Sequence, residues 1–157
     1  MGDLGFWLGT WDLGFGIWDL DLRMAHMAAD LAVTLASDRP GMLAQAIGCV
    51  SAAGINIDGY AEMNGVVHVL TPDLVSARRC LSEAGFRVVQ EQQVVLVPVA
   101  DEPGAAARVF QQIAGAHINL RYSYLATRNR LVIASDNPQA VINAVSPPSP
   151  STNTNVP

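Results

Sequence analysis

Residues 37–57 read SDRPGMLAQAIGCVSAAGINI, and residues 100–120 read ADEPGAAARVFQQIAGAHINL. The chain writes Asp-x-Pro-Gly, a helix-length run and Ile-Asn twice. A shift of 63 residues lays Asp38 on Asp101, Pro40 on Pro103, Gly41 on Gly104, Ala53 on Ala116, Ile55 on Ile118 and Asn56 on Asn119. The same shift, with no gap, also lays Val69 on Val132, Asp73 on Asp136 and Ala77 on Ala140. A match sustained that far at one offset means two copies of a supersecondary unit, each about 60 residues long.

Each copy resolves into elements. Residues 31–35 are β-prone, and from Gly41 the apolar residues take helical spacing, with Leu43, Ile47 and Val50 on one face. Asp38 is placed to cap the first turn, Pro40 sits where a missing N–H costs little, and Gly41 lets the backbone pass close to a neighbour. Gly54 ends the helix. Ile55, Ile57, Gly59 and Ala61 then alternate with polar residues as a half-buried strand, and Asn64-Gly65 turns it into a second strand over residues 66–70. Asp73 caps a second helix through Leu74, Ala77 and Leu81, and a fourth strand starts at Phe86. The second copy repeats the order: a strand over residues 94–99, a helix with Ala106, Phe110 and Ile113 inward, a strand over 118–125, a turn at Arg128 and Asn129, a strand over 131–134, and a helix from Pro138. Where its fourth strand is due, the chain reads Pro147-Pro148-Ser149-Pro150, which cannot form a ladder.

The expected fold class is therefore α+β: two ferredoxin-like βαββαβ units side by side, with antiparallel sheets and helices on one face. The expected divisions are an N-terminal extension over 1–29, a first unit over 30–92, a second over 93–146 lacking its last strand, and a disordered tail over 147–157. The stretch 90–99 is long enough to end one unit and begin the next, so it or a second chain should cover the open edge. A homodimer is expected on that ground.

Residues 1–23 are of another kind. The run Asp12-Leu13-Gly14-Phe15-Gly16-Ile17-Trp18, restarting at Asp19-Leu20, is what the DNA heptamer GATTTGG yields when repeated and translated, and four aspartates interrupt its apolar part. It is not expected to be an export signal. The expectation is translated repeat DNA ahead of a start at Met24 or Met27, not a native folded segment.

Composition narrows the function. A net charge of -5 with scattered arginine pairs lacks the clustered basic surface of a nucleic-acid binder, and no apolar run reaches the roughly 18 residues of a membrane span. Cys49 and Cys80, in helical stretches with no C-x-x-C spacing, are expected to be core thiols of a reducing cytoplasm rather than a disulfide or a metal site. His26, His68 and His117 have no ligand-like spacing, so neither metal nor cofactor is expected. Tyr60, Tyr122 and Tyr124 are expected to pack. No nucleophile–base pairing, phosphate loop or paired carboxylate appears, so the chain is read as no enzyme.

A strand, then Asp38-Arg39-Pro40-Gly41-Met42-Leu43, a helix, Ile55-Asn56-Ile57, hairpin, helix and strand resembles the ACT domain, a regulatory module attached to many enzymes of amino-acid metabolism. Asp101-Glu102-Pro103-Gly104 with Ile118-Asn119-Leu120 repeats the resemblance, which covers residues 30–145 and is similar to free-standing tandem ACT proteins. It implies an amino acid bound at the loop between first strand and first helix, where two units meet. The residues implied are Asp38, Pro40, Gly41, Met42, Asn56 and Ile57 in the first unit, and Asp101, Gly104, Ala105, Asn119 and Leu120 in the second. Helix amides and the dipole would meet the carboxylate, and Asp38 or Asn56 the ammonium group; the first loop, with the fuller motif, is expected to dominate. The partner implied is an enzyme of amino-acid metabolism. The other reading is an interaction module with no small ligand, in which Asp-x-Pro-Gly is a helix start and asparagine a turn residue.

Overall fold

A computed structural model describes residues 24–35 and 39–146; residues 1–23, 36–38 and 147–157, and with them Asp38 and its expected cap, lie outside the described residues. Among the described residues the order is β1 (His26–Thr34), α1 (Met42–Ala52), β2 (Gly59–Met63), β3 (Val66–Leu70), α2 (Leu74–Glu83), β4 (Arg87–Pro98), α3 (Ala105–Gly115), β5 (Leu120–Ala126), β6 (Arg130–Ser135) and α4 (Pro138–Val145). The strands form one antiparallel sheet in the order β2-β3-β1-β4-β6-β5. The α+β class and the doubled ferredoxin-like order are those read from the sequence.

The repeated motif has a local cause. Arg39-Pro40-Gly41-Met42 closes with Met42 N–H donating to Arg39 O at 3.2 Å, and Glu102-Pro103-Gly104-Ala105 closes the same way at 3.2 Å. Gly41 (φ 93°, ψ -13°) and Gly104 (φ 84°, ψ -6°) occupy the left-handed corner of a type II turn, with proline just before. Each turn leads straight into a helix whose N-cap residue is the glycine itself, which has no side chain to cap it. Nothing lies within 4 Å of a Cβ built on Gly41. Its glycine is required by φ, not by a close neighbour. The helices stop alike: Ile55 N–H donates to Val50 O and Ile118 N–H to Ile113 O, behind left-handed Gly54 and His117. This Schellman geometry needs an apolar residue after the corner, and Ile55 and Ile118 pack on the two helix-side cores.

The sheet is shared between the copies. β4 runs 12 residues, through the expected boundary at residues 92 and 93; its first part ends one copy and its second part begins the other. Beside that second part, where a fourth strand of the second copy would lie, runs the start of β1, with His26 opposite Leu96, Met27 opposite Val95 and Ala28 opposite Val94. β1 begins five residues ahead of the expected Leu31. It does so because residues 26–29 find this open ladder, which the stretch 90–99 was expected to cover.

Register puts all four helices on one face. Leu31 faces Glu91 across the ladder, on the same side as Val95 and Val97. Leu31 and Val33 pack with Ala46 and Val50 of α1 and Ala77 and Leu81 of α2, while Val95 and Val97 pack with Val109 and Ile113 of α3 and Val141 of α4. The buried stripe of α1 is thus Ala46 and Val50 flanked by Met42 and Cys49, one position round from the expected Leu43, Ile47 and Val50. The opposite face has no helix, yet Leu70, Val94, Leu96, Val132 and Ala134 there are buried. They are covered because the sheet curls over them until its two edge strands meet: Thr127 N–H donates to Asp58 O at 2.8 Å.

The offset of 63 holds only to β5. The first hairpin turns on Asn64 and Gly65 between Met63 and Val66, whereas the second spends Thr127, Arg128 and Asn129 between Ala126 and Arg130. That extra residue moves the correspondence to 64. Asp73, whose carboxylate accepts from Ser76 N–H, corresponds to Asn137, which accepts from Ala140 N–H, and not to Asp136.

Where the edges meet there is no room for a methyl group: a Cβ on Gly59 would lie 2.8 Å from Ala126 Cβ and 3.1 Å from its Cα. Gly59→Ala is expected to destabilise the fold by about 1–3 kcal/mol. Gly48→Ala, on the open side of α1 with nothing within 4 Å, is expected to stabilise it by about 0.5–1 kcal/mol. Urea titration of both variants checks the pair.

Candidate functional site

The curl of the sheet brings two polar constellations together on its inner face. In the first, Asp30 is fully buried in β1. Its carboxylate accepts from Tyr122 Oη at 3.0 and 3.1 Å and from Tyr124 Oη at 3.0 Å. Tyr122 and Tyr124 project together because they are two apart on β5. His68 of β3 packs on Tyr122 in a tilted contact, ring centroids 4.1 Å apart and planes at 43°, and its Nδ1 stands 3.4 Å from Asp30 Oδ2, buried and without a hydrogen-bond partner. Burial, and then the negative charge of Asp30, push both tyrosine hydroxyls far above their ordinary range.

The second constellation closes the rim. Arg130, itself buried, donates to Asp58 Oδ2 at 3.0 Å, to Thr127 O at 2.9 Å and to Thr127 Oγ1 at 3.2 Å. Asn56 Nδ2 donates to the other carboxylate oxygen of Asp58 at 2.6 Å. A guanidinium this far from water needs such partners. The extra loop residue Thr127 supplies two of them.

Three clefts adjoin these elements. A junction cleft of about 460 Å³ opens where the edges meet, walled by Ser51, Asn56, Ile57 and Tyr60 from the first copy and by residues 125–127 from the second. A second, of about 410 Å³, lies between the end of α1 and α2 and is lined by Asn56, Asp73, Arg79, Cys80 and Glu83. A third, of about 300 Å³, lies at the start of α3, between Asp101, Glu102, Gly104 and Ala105 on one side and Leu125 and Asn129 on the other. Leu125, 65% exposed, stands on both the junction cleft and the third.

The residues expected at a site are divided among these places. Asn56 and Ile57 line the junction cleft, and Asp101, Gly104 and Ala105 line the third. Pro40, Gly41, Met42, Asn119 and Leu120 line none of the three; Pro40 and Gly41 are exposed, Met42 packs on the first core and Leu120 on the second. Asn56 O and Asn119 O take corresponding bonds from Thr71 Oγ1 and Ser135 Oγ, a structural use of the backbone at both positions. The sequence reading missed Asp30, Asp58, His68, Tyr122, Tyr124 and Arg130 as a set. A carboxylate abutting the apolar run of β1 and two tyrosines two apart were the available signals. Among the described residues no group of three or more His, Cys, Asp or Glu is placed to hold a metal, and no helix is long and apolar enough to cross a membrane.

No protein-family model and no curated protein matches the chain, but solved structures do. Protein BT0572 from Bacteroides thetaiotaomicron is 24% identical, with a TM-score of 0.65 over 76% of this chain and 87% of that one. The ligand-free regulatory subunit of aspartate kinase from Thermus thermophilus is 18% identical, with a TM-score of 0.55 over 79% of this chain and 95% of that one. E. coli aspartokinase III, in complex with lysine and aspartate in its T-state, is 19% identical, with a TM-score of 0.50 over 77% of this chain and 31% of that one. At such identities the likeness is one of fold: the chain has the ACT-like α+β fold of these regulatory subunits and domains.

The tyrosine pair sets an alkaline limit. The folded state holds both hydroxyl protons more tightly than the unfolded chain does, so this contribution is complete below about pH 10 and is lost as pH rises above it. Absorbance titration should find both tyrosines protonated at about pH 11 while the chain stays folded, with tyrosinate appearing together with unfolding. Tyrosinate from all three tyrosines near pH 10 in a folded chain would contradict the geometry.

Proposed function

We propose that the protein is a non-enzymatic regulatory module that senses a small amino acid at the junction cleft and passes the signal to an enzyme of amino-acid metabolism in the cytoplasm. The observation that carries the reading is the make-up of that cleft. One wall belongs to each copy of the repeat, and Asp58, which pairs with Arg130 across the copies, lines it. Asp58 keeps lone pairs beyond its bonds to Arg130 and Asn56 that can accept from an ammonium group, while the second Nδ2 hydrogen of Asn56 and the Ser51 hydroxyl offer donors to a carboxylate, so both charged ends of an amino acid meet a partner. A ligand touching both walls favours the arrangement in which they are closest, a population shift that a bound enzyme would read. The fold likeness to aspartate kinase regulatory subunits, one of whose relatives was solved with lysine and aspartate, supports the same reading.

The first copy thus carries the principal site through Asn56 and Ile57, with Asp101, Gly104 and Ala105 at a secondary one. A homodimer belongs to this reading.

A thermal-shift screen of the twenty amino acids tests it. Ligand at a hundred times its dissociation constant stabilises the fold by about 2.7 kcal/mol, which at this size raises the melting point by roughly 5 °C or more. Asn56→Ala is expected to remove most of that shift and Asp101→Ala to leave it. The opposite pattern would move the site to the third cleft, and no shift with any amino acid would favour a module that binds only protein.

A further inference from the structure

The chain has two cysteines, and the fold brings them together. Cys49 of α1 and Cys80 of α2 stand with their sulfurs 4.0 Å apart, half-buried beside the first core. Each thiol also donates back to its own helix, Cys49 to Ala46 O at 3.1 Å and Cys80 to Ala77 O at 3.2 Å. Both are free thiols packed on the first core, as expected, and the packing also puts them in contact across a helix pair. Helix packing, not sequence spacing, made the pair.

We propose that Cys49 and Cys80 form a reversible, redox-sensitive disulfide that ties α1 to α2, with a small peptide disulfide of the glutathione type as oxidant. The sulfurs must close by about 2 Å, and turning both side chains out of their weak bonds to the helix carbonyls is the movement that does it. The two thiols have different roles. Cys80 lines the cleft between α1 and α2, where the Arg79 guanidinium on the same wall faces the carboxylates of an incoming peptide disulfide. Cys49 does not line it, and its thiol is pushed up to about 11 by burial and then by Cys80 beside it.

The exchange follows from that difference. Cys80 thiolate attacks one sulfur of the oxidant, forming a mixed disulfide and releasing one peptide thiolate, which takes up a proton. Cys49 then gives up its proton and attacks the Cys80 sulfur, releasing the second peptide thiol. Two protein thiols are oxidised and one peptide disulfide is reduced to two thiols, so atoms and electrons balance. Transient bonds of this kind are how cytosolic disulfides are used. The inference concerns this bond alone and does not depend on the amino-acid reading. Even so, Asn56 lines both this cleft and the junction cleft, so a bond here reaches the wall of the proposed site.

The test is oxidation of the intact, folded chain with excess oxidised glutathione, followed by an acid quench and mass measurement. With only two cysteines present, a monomer that has lost two hydrogens and kept no glutathione can hold only the Cys49–Cys80 bond. That product is expected, together with a melting point raised by roughly 5 °C or more and reversal by dithiothreitol. Cys49→Ser should stop at a glutathione adduct on Cys80, and Cys80→Ser should stay unmodified at the same time point. The proposal is overturned by stable glutathione adducts on the intact chain, by two unmodified thiols, by a bond between two chains, or by a link that forms only in urea.

Discussion

A carboxylate cut off from water must be surrounded by donors, and Asp30 has its donors on a strand more than ninety residues away. Burying it without them would cost several kcal/mol. The Asp30 bonds to Tyr122 and Tyr124 therefore form only if the sheet curls over its helix-free face and brings β5 above β1. That curl buries Leu70, Val94, Leu96 and Val132, which in a flat sheet would be an exposed apolar face. It also brings Gly59 against Ala126 and sets Asp58 beside Arg130 and Thr127. The junction cleft is the outer mouth of the same closure. Fold and candidate site thus rest on one requirement, the satisfaction of a buried charge.

The repeated sentence in the sequence has a structural meaning that stands apart from any ligand. Pro-Gly makes a type II turn that starts each helix, and Gly-Ile or His-Ile makes the Schellman corner that ends it. Both copies need these corners whether or not both bind. What distinguishes the copies is the polar residues that the repeat does not share: Asp30, Asp58 and His68 on one side, Tyr122, Tyr124, Thr127 and Arg130 on the other. Duplication supplied the scaffold, and these unshared residues join its halves across the inner face.

The elements were legible where local chemistry decides them. Asn64-Gly65 gives the tight turn, Asp73 the cap of α2 and Pro138 the start of α4, because each acts through bonds to its immediate neighbours. The doubled order followed from the repeat. What escaped was long-range. An extra loop residue at Thr127 shifts the correspondence by one without disturbing the pattern on either side. The start of β1 reads as leader when seen alone, and becomes strand only because β4 offers it a ladder. Of the candidate site, Asn56 and Ile57 were legible as part of a motif, whereas their partners on the opposite wall, residues 125–127, belong to no motif. Cys49 and Cys80 show the same limit, since no spacing in the sequence announces a contact made by packing two helices.

The central claim is that the buried Asp30 network makes the two halves a single cooperative structure. Native-state hydrogen exchange measures this directly, through the amides of Val69 in β3 and Val132 in β6, one in each half. In the unaltered chain both should exchange through one opening of equal free energy. Tyr124→Phe, which removes one donor to Asp30, should lower that free energy by about 1–3 kcal/mol at both amides alike. A variant that loosens Val132 and leaves Val69 unchanged would show that the halves open independently, and would contradict the account.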